Sequence, residues 1–165
     1  AINLVKIELG YEPFHAVILG SDQGRDVYFK KIKRLVEQHR LIRQIRFVDH
    51  CKNMALAYKI SDLVVSASIE PEAFGRVAVE AQAMEKMIIA SNIGGSNETI
   101  INEKTGLLFE SGDANSLSKK IIQAIKMDET SIELMGKEGR KNIIKKFNVE
   151  KMCFSPYSKY KRLLN

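Results

Sequence analysis

The sequence predicts an α/β domain with a Rossmann-like parallel sheet, helices on both faces of the sheet and a helical C-terminal tail. Short apolar runs rich in Val and Ile recur up to residue 109, and helical patterns separate them. Strands that alternate with helices in this way form parallel sheets. At 165 residues the chain is also long enough for one domain with its own core.

The predicted strands are brief and continuous in hydrophobicity, which is typical of parallel strands covered on both faces. They cover residues 15–20, 44–48, 62–67, 87–90 and 107–109. Predicted helices lie between them, near residues 25–39, 53–59, 75–84 and 96–102. Residues 1–8 indicate part of an amphipathic helix without a capping residue, so we expect the chain to begin inside a larger protein.

The pattern becomes wholly helical after Phe109. Asp113 is a suitable cap for a helix that extends to about Met127. We expect a second helix from near Ser131 to about residue 146, and a third over residues 149–163 that Pro156 kinks. No repeat, low-complexity tract or long linker divides the sequence, so residues 1–165 are predicted to form one domain.

Composition excludes several classes of protein. The sequence contains no run of about 18 apolar residues, which a helix would need to cross a bilayer, and the N-terminus lacks the three regions of a signal peptide. Cys51 and Cys153 match no metal or redox spacing, which favours reduced thiols and a cytoplasmic location. His50 beside Cys51 has no second ligand pair, so no metal site is predicted.

The net charge is +6, and basic residues cluster at residues 30–34, 140–146 and 159–162. Such runs are most often solvated helix faces. The functional alternative is attraction to an anion, either a diphosphate ligand or an acidic membrane surface. Nucleic acid is disfavoured as a partner because no aromatic stacking platform or known binding motif accompanies the charge.

Residues 66–81 carry the most informative pattern, in which a strand ends near Ala67 and a helix begins near Gly75. The helix N-terminus then lies at the carboxyl edge of a parallel sheet, where α/β proteins bind ligands. Its free amides and positive dipole end suit a phosphate or diphosphate. Gly75 lacks a Cβ, so the backbone can approach such an anion closely.

Two carboxylates flank this predicted anion site. Glu80 lies about five residues into the helix, or roughly 7.5 Å along its axis, an offset that suits the ribose of a nucleotide. Glu72, on the other side, is placed to hold hydroxyls of a sugar attached to the diphosphate. On spacing alone, however, two solvent-facing glutamates eight residues apart explain the pattern better than a nucleotide-sugar site.

Further motifs identify a family, since the sequence resembles the C-terminal domain of family four (group 1) glycosyltransferases. These are retaining, metal-independent enzymes of the GT-B fold. Their signature of Glu, seven residues, Glu and Ala matches Glu72 to Ala81, with Phe74 and Gly75 in the expected places. Residues 91–98 resemble the family's Gly-Gly-x-x-Glu loop, and residues 105–113 resemble its next strand and helix cap. The resemblance covers essentially the whole chain.

The resemblance implies a role for each matching residue. Glu72 contacts the donor sugar as the expected catalytic residue, and Glu80 holds the ribose. The donor sugar and diphosphate meet the backbone of Ala73, Phe74, Gly75, Arg76 and Val77. Loops that line the base pocket contribute Gly20, Ser21, Phe47 and Val48. Gly94 and Gly95 correspond to a glycine pair beneath the donor site, where the backbone must approach closely. The alternative is that these two glycines only form a tight turn.

The resemblance also has gaps. Where the family usually has Gly-x-Pro before a strand, this chain has Glu85, Lys86 and Met87, which affects a turn. The family's N-terminal acceptor domain does not precede Ala1, nor does the strand and Arg…Lys-Gly segment that neutralises the leaving diphosphate. That strand lies between those at 15–20 and 62–67, so either these two pair directly or a longer parent chain or a partner fills the gap. The isolated chain is expected to bind donor weakly and to transfer no sugar.

Within the family, residues 70–84 resemble lipopolysaccharide core mannosyltransferases. This implies GDP-mannose as the donor, no metal or other cofactor, and a lipid-linked acceptor for cell-envelope synthesis at the inner face of the membrane. Two other classes stay open: a non-catalytic nucleotide-binding remnant, and a basic interaction domain that docks on acidic lipid or on a protein partner.

Overall fold

The computed structural model describes residues 1–10, 14–21, 24 and 26–148. Helices and strands alternate along most of this range, and two helices follow the last strand. The elements are α1 (Ile2–Leu9), β1 (Ala16–Leu19), α2 (Asp26–Gln38), β2 (Ile45–Val48), α3 (Met54–Ile60), β3 (Leu63–Ser66), α4 (Arg76–Ala83), β4 (Met87–Ser91), α5 (Ser96–Thr99), β5 (Leu107–Phe109), α6 (Ala114–Lys126) and α7 (Glu129–Lys146). Their order confirms the predicted α/β class.

Two predicted helix boundaries are wrong. Helix α5 ends at Thr99 and not near residue 102, because Ile100 has an extended backbone. Helix α7 begins at Glu129 and not near Ser131, because the Asp128 side chain caps it by accepting from the Ser131 amide at 2.8 Å. The predicted helix over residues 149–163, with Pro156, lies outside the described residues.

The strands form two parallel sheets. One contains β1 and β2, and the other contains β3, β4 and β5, with β4 in its centre. Leu63 of β3 lies beside Met87 of β4, and Ile89 of β4 lies beside Leu107 of β5. Every residue of β4 is buried, as the unbroken apolar run over residues 87–90 predicts for a central parallel strand.

Strands β1 and β3 are less covered than predicted. Val17 in β1 is 61% exposed and Val65 in β3 is 41% exposed, although strands covered on both faces would bury such residues. Within the described part of the chain β1 and β3 do not pair, so direct pairing of these two strands is wrong. Each keeps an unpaired edge, and the apolar side chains beside that edge stay open to solvent.

Helices cover both faces of the three-stranded sheet. Successive residues of β4 point to opposite faces, so alternate side chains pack against different helices. Ile88 and Ala90 pack with Tyr58 of α3 and with residues of α4. Met87 and Ile89 face the other way and pack with residues of β5, α6 and α7. The layered arrangement that the sequence predicts is therefore confirmed around β4.

The two-stranded sheet has a smaller core of its own. This cluster contains Val36 of α2, Ile45 of β2, and Leu41 from the segment between them, and Ile2 of α1 packs against it. Val5 of α1 is completely buried, and α1 also contacts α6. Helix α1 therefore joins the core beside β2 to the helical layer over β5.

Helix α7 packs against α4 and α5, the helices that follow the loops after β3 and β4. A Cβ at Gly136 would overlap the carbonyl of Glu85, so α7 packs closely against the end of α4. Asn142 of α7 donates to the Thr99 carbonyl at 3.0 Å, and buried Gln82 of α4 donates to the same oxygen at 3.1 Å. These contacts fix the short helix α5 against α4.

Candidate functional site

The candidate site surrounds the loop between β3 and α4. Strand β3 ends at Ser66 and α4 begins at Arg76, with Gly75 as its N-cap residue. Gly75 has a left-handed conformation, φ 72° and ψ 54°, which glycine adopts without the strain that a Cβ would bring. The helix start near Gly75 at the carboxyl end of a parallel strand is therefore confirmed.

The glycine pair after β4 packs directly against this loop. The Gly95 amide donates to the Glu72 carbonyl at 2.8 Å. A Cβ at Gly94 would lie 2.6 Å from that same oxygen, and a Cβ at Gly95 would overlap the backbone of Phe74. Close backbone approach thus requires glycine at both positions, and at Gly94 a positive φ of 57° requires it as well.

No side chain in the described residues caps α4. Side chains do cap α3, α6 and α7: Asn53, Asp113 and Asp128. The first amides of a helix have no partner within the helix, and a side-chain cap would occupy one of them. The start of α4, from Arg76 and Val77 onward, therefore has the geometry and dipole of an anion site.

Glu80 lies in the second turn of α4 and is held from two sides. The Tyr58 hydroxyl donates to its Oε2 at 2.9 Å, and Arg76 Nε lies 3.4 Å from its Oε1. Burial, followed by the hydrogen bond to Glu80, raises the pKa of the Tyr58 phenol well above its usual value. Tyr58 therefore keeps its proton and donates at every pH at which the protein would work.

Glu72 lies in the exposed loop before α4. The Ser68 hydroxyl donates to its Oε1, and the Ser111 hydroxyl donates to the Ser68 carbonyl at 3.3 Å. The backbone of Glu72 is tied to Gly95 as described above, so both its main chain and its carboxylate are oriented. Phe74, in the same loop, packs edge-to-face on Phe147 with ring centroids 5.4 Å apart.

The residues predicted to line a base pocket lie together at the ends of β1 and β2. The Gly20 amide donates to the Val48 carbonyl at 3.0 Å. Phe47 is half-buried against Phe29 of α2, and its ring contributes to the small core beside β2. Ser21 and Val48 are exposed. Phe47 and Val48 belong to β2, and Gly20 and Ser21 directly follow β1, so all four lie at the two-stranded sheet. A pocket that they share with Glu80 stays a prediction.

Sequence reasoning missed the two hydroxyl groups that orient the carboxylates. Ser68 stands four residues before Glu72, within the same loop, and this short spacing was the only available signal. Tyr58 lies on a separate helix, 22 residues before Glu80, and looks like an ordinary apolar helix residue. Only the packing of α3 against α4 brings it to the carboxylate.

Nothing in the described part of the chain resembles a metal centre, since no three His, Cys, Asp or Glu side chains converge there. Cys51 is a free thiol that contacts the Asn53 carbonyl at 3.3 Å. The expectation of metal-independent chemistry stays a prediction. None of the described helices is long and apolar enough to cross a membrane.

Comparison with known proteins identifies relatives of this architecture. Staphylococcus aureus CapM, a capsular polysaccharide biosynthesis glycosyltransferase, is 40% identical over 77 residues, which are 47% of this chain and 20% of CapM. A glycosyltransferase from Rickettsia africae superposes with a TM-score of 0.90 and 31% identity, over 99% of this chain and 44% of that protein. A variant of S. aureus TarM, solved with fondaparinux, α-GlcNAc-glycerol and UDP, superposes with a TM-score of 0.77 and 25% identity.

The superposition on TarM covers 99% of this chain but 31% of TarM, so this chain spans 20–44% of the length of the three relatives. A sequence profile described as "Glycosyl transferases group 1" matches residues 2–146, which is most of the chain. The parallel α/β architecture and the motifs around α4 agree with this match. The chain belongs to the glycosyl transferases group 1 family.

Proposed function

We propose that this chain is the donor-binding domain of a retaining glycosyltransferase, which moves a sugar from a nucleoside-diphosphate sugar to an acceptor hydroxyl. One arrangement carries the proposal: an uncapped helix N-terminus follows a parallel strand, and the oriented carboxylates of Glu72 and Glu80 flank it. Family membership supports sugar transfer. The UDP bound by TarM supports a nucleoside diphosphate as the ligand class.

The chemical requirement of such a transfer is stabilisation of the negative charge on the leaving diphosphate. In this proposal the amides of Arg76 and Val77 donate to the phosphate oxygens, and the dipole of α4 adds to the effect. Preorganised donors of this kind are worth about 3–4 kcal/mol each in typical enzymes. Because the donors are backbone groups on a packed helix, they need no reorganisation when the charge develops.

The two carboxylates supply the binding contacts to hydroxyl groups. Carboxylates accept hydrogen bonds and hydroxyls donate them, so Glu80 is complementary to a ribose and Glu72 to the transferred sugar. We assign Glu72 the catalytic position because its carboxylate would touch the sugar at the reacting end. The base would lie towards the loops that contain Gly20, Ser21, Phe47 and Val48.

We propose GDP-mannose as the donor and a lipid-linked acceptor of lipopolysaccharide synthesis as the second substrate. This assignment rests on the resemblance of residues 70–84 to core mannosyltransferases. The nucleotide named with a relative is UDP, in the TarM complex, so both nucleotides belong in the experiment below. Contact of the basic runs with an acidic membrane surface, at the inner face of the membrane, belongs to the same proposal.

We also propose that an N-terminal acceptor domain, in the same or another chain, completes the enzyme. The unpaired edges of β1 and β3 support a further strand between the two sheets. Two basic side chains next to that strand are implied by the family resemblance. The 165-residue chain alone should therefore bind donor weakly and show no transfer.

Isothermal titration calorimetry with UDP, GDP and ADP, and with UDP-glucose and GDP-mannose, tests donor binding. A ligand that binds the folded chain also raises its melting temperature, which gives a second readout. Glu72→Ala should weaken binding of the nucleotide-sugar more than binding of the free nucleotide. Glu80→Ala should weaken both, because the ribose is common to both ligands.

Glu70→Ala is the matched control, since Glu70 is exposed in the same loop and carries the same charge. If none of the nucleotides or sugars binds, the proposal of a donor site is wrong. If binding is unchanged in Glu72→Ala and Glu80→Ala, the ligand site lies elsewhere, as a basic interaction domain would predict. Saturable nucleotide binding without transfer, even after an N-terminal domain is added, would favour the non-catalytic remnant.

A further inference from the structure

The Glu80 carboxylate rests on a buried phenol. Tyr58 is only 6% exposed, and its hydroxyl donates to Glu80 Oε2 at 2.9 Å. The Tyr58 ring packs in the core with Ala78 and Ala81, the neighbours of Glu80 on the inner face of α4. Because the ring is enclosed, the donor atom has a fixed position relative to α4.

The other contact of Glu80 is longer and more exposed to solvent. Arg76 Nε lies 3.4 Å from Glu80 Oε1, but the Arg76 side chain is 82% exposed and the Glu80 side chain is 38% exposed. Exposed ion pairs of this kind contribute little, because water screens them and both side chains lose freedom. Tyr58 is therefore the contact that decides where the carboxylate points.

We infer that Tyr58 is a positioning residue for nucleotide binding, which holds the Glu80 carboxylate in the orientation that accepts hydrogen bonds from both ribose hydroxyls. The inference rests on the proposed function, in which Glu80 binds the ribose. A carboxylate offers about four acceptor positions, so acceptance from Tyr58 leaves enough for two hydroxyls. The two hydroxyls of a ribose are fixed on one ring, and they need a carboxylate with a fixed plane.

Without the phenol hydroxyl, the carboxylate would be free to turn towards Arg76. The high pKa of Tyr58, caused first by burial and then by Glu80, keeps the hydroxyl protonated as a donor. A phenylalanine would fill the same space in the core and leave the carboxylate without its fixed partner. The hydroxyl can therefore be removed with little change in packing.

The experiment compares Tyr58→Phe with wild type for two ligands, measured by calorimetry. The first is whichever of UDP and GDP binds the wild-type chain, and the second is its 2′,3′-dideoxy analogue. Loss of a hydrogen bond to a charged group is worth about tenfold in affinity. We expect Tyr58→Phe to weaken the ribonucleotide about tenfold and the dideoxy analogue hardly at all. In a Glu80→Ala background, Tyr58→Phe should have no additional effect.

Tyr28→Phe is the control, because Tyr28 lies on α2 and is 62% exposed. A merely structural role of Tyr58 would weaken both ligands equally, and that result overturns the inference. Unchanged ribonucleotide affinity in Tyr58→Phe overturns it as well, while the proposed function stands if the wild type binds. If the wild type binds neither UDP nor GDP, the proposed function fails and the inference fails with it.

Discussion

Gly95→Ala should move the loop between β3 and α4 (residues 67–75, here called the donor loop) away from α5, while Glu72 and Glu80 of the proposed donor site stay unchanged. Gly95 has φ −61° and ψ −18°, which alanine adopts freely, so backbone strain does not contribute. The added Cβ would overlap the backbone of Phe74, and backbone atoms cannot rotate aside as a flexible side chain can. The loop that carries Glu72 must therefore move away from α5.

The size of the effect follows from this overlap. Inserting a methyl group into a packed site typically costs about 1–3 kcal/mol. For a protein of this length, a cost of about 2 kcal/mol lowers the melting temperature by about 4–8 °C. The shift also breaks the alignment of Glu72 and of the first amides of α4 with the diphosphate. Loss of one hydrogen bond to a charged group corresponds to at least about a tenfold loss of nucleotide-sugar affinity.

Gly136→Ala is the matched control for this prediction. Its Cβ would overlap the Glu85 carbonyl, which is also backbone, and Glu85 lies just after the C-terminal end of α4, at the opposite end of that helix from the donor loop. We expect the two variants to lose melting temperature by similar amounts. Only Gly95→Ala should lose affinity, as measured by calorimetry at a temperature at which both variants are folded.

Equal affinity of Gly95→Ala and wild type would refute the argument that the glycine pair supports a ligand site. Equal loss of affinity in both variants would refute it too, because general destabilisation would then explain the result. Circular dichroism before each titration establishes that the variants have kept their helical content.

Two further predictions concern stability and ionisation. Asp113→Ala removes the side chain that accepts from the Asn115 amide at 2.8 Å at the start of α6, and loss of such a cap costs about 1 kcal/mol. The melting temperature should fall while nucleotide affinity stays unchanged, because Asp113 is not part of the proposed donor site. A loss of affinity would contradict this. The pKa of Tyr58 is raised in the folded state, so its contribution to stability is complete below the usual phenol pKa and is lost as the pH rises through the folded value. In an absorbance titration, Tyr58→Phe should remove a high-pH transition, and Glu80→Gln should lower the pH of that transition only partly, since burial is the larger cause. If the transition that Tyr58→Phe removes lies at the ordinary pH of tyrosine, this prediction is wrong.

Local pattern predicted most of the elements, because a parallel α/β fold leaves clear periodicity in its sequence. Residues 87–90 are continuously apolar since β4 is covered on both faces, and Asp113 marks the start of α6 because its side chain caps it. The start of α4 at Gly75 was also predictable, from the strand before it and the glycine itself. The predicted start of α7 near Ser131 was wrong by two residues, because Asp128 caps the helix and accepts from the Ser131 amide.

The carboxylate pair was predictable from the family signature, but its surroundings were not. The Ser68 contact with Glu72 spans four residues, whereas Gly95 meets Glu72 from 23 residues away and Tyr58 meets Glu80 from 22 residues away. Contacts between residues so far apart in the chain leave no periodic pattern in the sequence. They arise only when α3, α4 and the loop after β4 pack on one sheet.

The amino-acid pattern alone predicted the α/β class, the order of the elements, the helix start at Gly75 and the family. These properties depend on hydrophobic period, on turn residues and on motifs, which are all local. The three-dimensional structure was needed to show that β1 and β3 do not pair, that Gly94 and Gly95 pack against the donor loop, and that a buried phenol donates to Glu80. Each of these features depends on close contact between segments far apart in the chain, and such contact arises only from packing in three dimensions.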